Sequence, residues 1–297
     1  MLLVPDWKNN VVHRISLDGE YEGDFLDPSR ADDPHADRTP WANPLGLLFF
    51  DESPAKVWLI ADRAISEWDG AGRLLRMVFS DSQLLETPTC IVRIGDEIFV
   101  VSADKKEILV FAHDGTRRRS FGYPALYRAN DCKLGPDGLI YVASTQHAGA
   151  PGLISVWDPK DSAADVKPRA YYVPGDPTGD GTFWAQGLVF DDDGQVLLTD
   201  FSRGRLERWD LESNTRIEIL LDSDASGTYV KLARGPDGLV YLAGSEGIYR
   251  FDPNADAEDL KGLQPFFNAH QLEGRYAQPF SPVGVTFAPR AALGPAR

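Results

Sequence analysis

The feature that most constrains this chain is a sixfold repeat. An aliphatic residue, two mostly polar residues and a large apolar residue recur as Val12-His13-Arg14-Ile15, Ile65-Ser66-Glu67-Trp68, Ile108-Leu109-Val110-Phe111, Ile154-Ser155-Val156-Trp157, Leu206-Glu207-Arg208-Trp209 and Ile248-Tyr249-Arg250-Phe251. The copies start 42 to 53 residues apart. An apolar strand lies upstream of each, for example Ile98 to Val101 or Val240 to Leu242, and a more irregular one follows, such as Leu74 to Phe79. Every copy but the first is preceded by a further short strand, such as Leu45 to Phe50 or Lys231 to Arg234. Four strands per roughly 40–50 residues is the period of a propeller blade. One blade cannot bury both of its faces, so neighbours must stack into a ring. The first copy lacks its inner strand, and Val283-Gly284-Val285-Thr286-Phe287 is an inner strand without a blade. The prediction is therefore an all-β, six-bladed β-propeller of four-stranded antiparallel blades. Residues 283–289 join the N-terminal blade and close the ring, in a single domain over 1–297. Closure removes exposed sheet edges. A pair of β-sandwiches would leave the sixfold register unexplained.

Composition narrows the partners. A net charge of −15 argues against nucleic acid and anionic membranes, which need basic patches. The N-terminal MLLVPDWKNN has neither the basic start nor the apolar run of a signal peptide, and no stretch is long and apolar enough to span a bilayer. The cytoplasm is the expected compartment. Cys90 and Cys132, the two cysteines, read as small core residues on adjacent inner strands, too far apart to bond.

Chemistry is expected where the inner strands begin, because those ends converge on one mouth of the ring. The stretch Arg128 to Ser144, RANDCKLGPDGLIYVAS, is the most informative. It places Arg128, Asn130, Asp131 and Lys133 at a strand start, ahead of a Gly-Pro-Asp-Gly turn suited to a hairpin. The other inner strands bring Thr89, Trp184, Gln186, Tyr229 and Lys231 to the same level. Asp131 or Asp200 could serve as a base, Arg128 or Lys231 could bind an anion or polarise a carbonyl, and Tyr229 could donate a proton. Asn130, Gln186 and Thr89 would orient a ligand between the apolar walls of Trp184 and Tyr229, with His147 within reach of the mouth. The repeated Asp6, Asp62, Asp104 and Asp200 serve the blades, whereas Asp131 belongs to no repeat and is the better catalytic candidate. Two insertions, Asp27 to Trp41 and Pro174 to Phe183, are candidate lids, and Asp256 to Gly274 is expected to hold a short helix.

RANDCKLGPDGLIYVAS resembles the third-blade motif of the six-bladed senescence-marker-protein/gluconolactonase group and its relative diisopropyl fluorophosphatase, and the turn near Asn9-Asn10 resembles NHL-type repeats. The resemblance implies cleavage of an ester or lactone at the tunnel mouth, and a divalent cation such as Ca²⁺ held in part by Asn130. The remaining ligand positions carry Leu45, Gln186 and Val230 or Lys231 instead of the family's Glu, Asn and Asp. A hard cation needs several oxygen ligands, so the reading favours a metal-free site. Its function is then that of a small-molecule enzyme, a hydrolase or a diverged lyase or cyclase. The alternative is a non-catalytic NHL-like propeller that binds a ligand or a protein partner.

Overall fold

The computed structural model describes residues 1–27, 43–81, 83–126, 128–145, 152–163, 166–172, 183–223 and 228–294. The anchor residues account for the repeat. Trp68, Trp157 and Trp209 are buried between blades. Each indole N–H donates to the side chain two residues earlier, Ser66 Oγ at 2.8 Å, Ser155 Oγ at 2.8 Å and Glu207 Oε2 at 2.9 Å. The polar residue inside the motif thus satisfies the one polar atom of the large side chain it helps to bury.

Six four-stranded antiparallel sheets result. Counted from the axis outward, the second blade comprises Pro44–Phe50, Lys56–Ala61, Ala64–Asp69 and Leu74–Phe79. The third comprises Pro88–Ile94, Glu97–Ser102, Glu107–Ala112 and Arg117–Phe121. The fourth comprises Ala129–Leu134, Ile140–Ser144, Leu153–Trp157 and Ala170–Tyr172. The fifth comprises Ala185–Phe190, Val196–Asp200, Arg205–Asp210 and Thr215–Asp222, and the sixth Tyr229–Arg234, Val240–Gly244, Gly247–Phe251 and Phe267–Asn268. The first blade takes Leu2–Asp6, Val11–Ile15 and Tyr21–Leu26 from the N-terminal end and Thr286–Phe287 from the C-terminal end. The expected closure is present. Leu2 pairs with Phe287 and Leu3 with Thr286, and the contact extends through Val283 N–H to Pro5 O and Ala288 N–H to Met1 O.

A buried polar cluster fastens this closure. His13 lies with Nε2 3.2 Å from Asp6 Oδ2 and Nδ1 3.0 Å from Asp24 Oδ1. Tyr276, from the C-terminal segment, donates to Asp24 at 2.7 Å, and Ser281 N–H donates to Asp6. Burial alone would lower the His13 pKa, but bonds to Asp24 and Asp6 outweigh it and raise it above 6.5. Asp24 moves the other way: burial opposes the charge, and His13 and Tyr276 overcome that and hold it below 3.8.

The turns follow the sequence reading. In Gly135-Pro136-Asp137-Gly138, Gly138 has φ +79°, and Asp137 accepts from Leu139 N–H and from the Tyr141 hydroxyl. Gly235 to Gly238 repeats the arrangement with Tyr241. The helix expected within Asp256 to Gly274 is a single 3-10 turn, Ala269–Leu272, capped by Asn268. Apart from Asp27 and Phe183, the two candidate lids lie outside the described residues. Among the described residues no helix is long and apolar enough to cross a membrane.

The cysteine expectation is overturned. Cys90 and Cys132 are joined by a disulfide, with Cα atoms 5.8 Å apart. The reason is register. Cys90 pairs with Val101 and Asp131 with Ala143, so Asp131, not Cys132, is the counterpart of Cys90. Counterparts point the same way round the ring, whereas residues one step apart point towards each other. At the hub, where inner strands approach most closely, that offset brings the two sulfurs together.

Two outcomes are expected. Reduction of the disulfide, or the Cys90→Ala/Cys132→Ala double variant, lowers the unfolding free energy by about 2–4 kcal/mol in urea titrations, because the bond closes a loop across 42 residues of separation. His13→Ala strands two buried carboxylates and costs about 3 kcal/mol by the same measurement. Its pH dependence has a definite sign. The raised His13 pKa contributes stability that is present below 6.5 and lost as pH rises through the folded value. The lowered Asp24 pKa contributes stability that is present above 3.8 and lost as pH falls through the folded value. The difference between wild type and variant is therefore largest between those limits.

Candidate functional site at the channel mouth

Backbone irregularities at the hub set out the site. The inner strands of the second to fifth blades each carry a bulge directly after their first residue, at Pro44/Gly46, Pro88/Cys90, Ala129/Asp131 and Ala185/Gly187. A bulge leaves one residue outside the ladder and re-aims its side chain. The residues so placed are Leu45, Thr89, Asn130 and Gln186. Just ahead of three of these strands the backbone takes positive φ at residues other than glycine: Asn43 at 60°, Thr87 at 50° and Arg128 at 33°. For a β-branched residue such as Thr87 this conformation is strained, and strain of this kind gathers at functional sites.

A pocket of about 360 Å³ opens where the third, fourth and fifth blades meet this end of the channel. The Trp184 and Phe201 rings stack along one side, with centroids 6.2 Å apart and planes within 7°. Arg128, Asn130, Gln186 and Thr89 supply polar groups to the same pocket. Asn130 Nδ2 donates to Ala185 O at 2.9 Å, which fixes the amide across the gap between blades. Thr89 is 8% exposed, and its hydroxyl has no hydrogen-bond partner. The side chains of Arg128 and Gln186 engage no hydrogen bond or ion pair among the described residues.

Five of the residues singled out in the sequence, Arg128, Asn130, Thr89, Trp184 and Gln186, therefore meet in one pocket. The others are placed elsewhere. Asp131 lies beneath, in the channel, where its carboxylate accepts from Lys133 Nζ at 2.6 Å and Leu188 N–H at 3.3 Å. Lys231 crosses the channel from the sixth blade, and its ammonium donates to Thr89 O at 2.6 Å and Leu45 O at 3.3 Å. The fit is close: a Cβ on Gly187 would stand 2.6 Å from Lys231 Cα. Burial pushes the Lys231 amine down to about 8, with Asp131 pulling it back up and Lys133 adding to the fall. Tyr229 is buried, its ring edge-on to Tyr249, and burial pushes its hydroxyl up to about 12. Asp200 is held by Ser202 and by Arg203 at 2.9 Å. His147 falls outside the described residues.

Thr87, at the start of the third inner strand, also lines the pocket, as do Asp104, Thr145 and Phe201, which the sequence reading does not place at the site. Asp104 was assigned to the blade repeat. It does follow the second strand as the others do, but it accepts from Thr87 Oγ1 at 2.5 Å at the rim. The legible signal was its position: the loop after a second strand opens on the same face as the start of the first.

The residues present do not fit the divalent cation that the family resemblance implies. Leu45 offers no side-chain oxygen, Asn130 and Gln186 offer only neutral amide oxygens, and Lys231 brings a positive charge to the carbonyls of Leu45 and Thr89. Among the described residues no group of three or more His, Cys, Asp or Glu side chains is arranged to hold a metal.

No protein-family model matches the chain, and no curated protein matches it. Solved structures do match. A chain of the nidogen/laminin complex aligns over 96% of this chain and 97% of its own, with a TM-score of 0.67 and 17% identity. A protein of unknown function from Bacteroides caccae aligns over 96% and 97%, with a TM-score of 0.62 and 13% identity. Virginiamycin B lyase from Staphylococcus aureus aligns over 85% and 80%, with a TM-score of 0.51 and 14% identity. At these identities the likeness is one of fold, the six-bladed propeller that the repeat predicted.

The depressed Lys231 pKa carries a testable sign. The unfolded chain binds a proton at this position up to pH 10.5, whereas the folded chain releases it near 8. Stability therefore rises with pH between those values. Lys231→Met is expected to lack this rise, a difference on the order of 3 kcal/mol in urea titrations at pH 7.5 and 10.5.

Proposed function

We propose that the mouth pocket binds a small organic molecule with a flat ring and an anionic or carbonyl-bearing edge. One observation carries the reading. Three polar groups that have no side-chain partner among the described residues, the Arg128 guanidinium, the Gln186 amide and the buried Thr89 hydroxyl, line one pocket with the Trp184–Phe201 pair. A buried hydroxyl is normally satisfied, and a ligand edge would satisfy that of Thr89, with the exposed Arg128 and half-buried Gln186 placed to meet the same edge. The aromatic pair offers a face for a planar ring, and a guanidinium suits a carboxylate through two parallel bonds.

A catalytic role, hydrolysis of an ester or lactone or an elimination, is the second reading. It is supported by the carboxylate of Asp104 in the same pocket, held by Thr87. A base at this position would take a proton from water or from the ligand while Arg128 stabilises the developing oxyanion. Asp131 and Lys231 would act from below, through the field they set up in the channel.

Calorimetric titration of a panel of aromatic carboxylates and aryl lactones tests both readings. At least one compound should bind saturably, and Trp184→Ala should weaken it about tenfold, the worth of one aromatic stack. If no compound binds, or if binding ignores Trp184→Ala, the reading fails. Turnover in wild type that Asp104→Asn removes without changing affinity would make the site catalytic. A protein complex formed without occupancy of the mouth would instead match the use of this fold in the nidogen/laminin structure.

A further inference from the structure

Beside the mouth lies a second chamber of about 350 Å³, lined by Lys231, which the mouth is not, and bordered, like the mouth, by Thr89. Most of its wall is apolar, with Leu47, Phe49, Val92, Val285 and Phe287 among the lining residues. Three charged side chains enter it: Asp131, Lys133 and Lys231. No other lining residue is charged.

The arrangement leaves one positive charge uncompensated. Asp131 pairs directly with Lys133 at 2.6 Å. The Lys231 ammonium has two backbone carbonyls, which orient it but do not neutralise it. Lys231 is 7% exposed, so water does little to screen it. A buried charge without a counter-charge is costly, and binding a counter-ion relieves that cost. Burial is what lowers the Lys231 amine most, with Asp131 raising it and Lys133 lowering it, so the one carboxylate is shared between two lysines. The whole chain, by contrast, is strongly acidic: one cationic chamber sits inside an anionic protein.

We propose that this chamber is a second binding site, distinct from the mouth, for a small organic monoanion with an apolar body. The carboxylate lies against Lys231 and Lys133, and the apolar body runs along Leu47, Phe49 and Phe287. The excess of a single charge selects a monoanion over a dianion, and the apolar wall selects a hydrocarbon body over an inorganic ion.

Hexanoate is the probe, with hexanol as its neutral counterpart and adipate as its dianion, each titrated into the full-length protein by calorimetry. Hexanoate should bind at one site, and hexanol and adipate more weakly by on the order of tenfold or more. The charge count makes two opposite predictions. Lys133→Met brings the chamber to neutrality and should lower hexanoate affinity towards that of hexanol. Asp131→Asn adds a second excess charge and should tighten hexanoate and admit adipate. Lys133 is partly exposed, so its variant retains the fold, and circular dichroism checks this for both. Trp184→Ala should leave hexanoate binding unchanged, which separates this site from the mouth. Absence of hexanoate binding, equal binding of hexanol, or an affinity indifferent to both charge variants would overturn the proposal. Loss of hexanoate binding in Trp184→Ala would move the ligand to the mouth and overturn it equally.

Discussion

The ring depends on the pairing of its two ends. Each blade hides its faces against its neighbours, so a missing strand in one blade would expose two hydrophobic faces and a sheet edge. The pairing of Thr286–Phe287 with Leu2–Asp6 prevents this, but the sheet contact itself is short. The buried cluster compensates: His13 holds Asp6 and Asp24 within the N-terminal strands, and both carboxylates complete their bonding with Ser281 N–H and the Tyr276 hydroxyl only when the ends meet. A polar network of this kind penalises a misaligned closure, since a slipped C-terminal segment would take its donors away from the two buried carboxylates.

The hub shows how a symmetric scaffold becomes an asymmetric site. One register position on the inner strands carries Gly46, Cys90, Asp131, Gly187 and Lys231 in successive blades. Gly187 lets the backbone of the sixth blade approach, and Gly46 leaves room for the Ile60 side chain. The cysteine ties two blades together, and the aspartate and lysine bring charge to the channel. Lys231 extends towards the second and third blades and lines the inner chamber but not the mouth. The fold thus supplies position, and variation at a few hub residues supplies chemistry.

The sequence made the period legible because the constraint acts within each blade: a Trp that must be buried, a polar residue that must bond its indole, a Gly-Pro-Asp-Gly turn that needs positive φ. Arg128, Asn130, Thr89, Trp184 and Gln186 were legible as a group, since all lie at the starts of inner strands. What remained hidden depends on side-chain direction across blades. The sequence reading sets Cys90 and Cys132 too far apart to bond, yet with equivalent bulges in both strands the counterpart of Cys90 is Asp131, and Cys132, one step on, points back towards Cys90. Lys231 was expected to face a ligand, but its long side chain reaches backbone carbonyls across the axis. Tyr229 was expected at the mouth, and its ring instead fills a core shared with Tyr249. Asp104 reads as a repeat residue, and its place in the loop after a second strand, on the face where the inner strands begin, is what brings it to the pocket.

The disulfide has a bearing on the mouth that its contribution to stability does not capture. Cys90 directly follows Thr89, and Cys132 lies two residues beyond Asn130, so the covalent link sits just under two walls of the pocket. It fixes their separation before any guest arrives. A guest then meets a cleft whose width is already set, and little conformational freedom is left to be lost on association. Oxidation of these two thiols thereby acts as a gauge on the opening: it makes the mouth a rigid template that discriminates by size, where two untethered blades would adapt to what they hold.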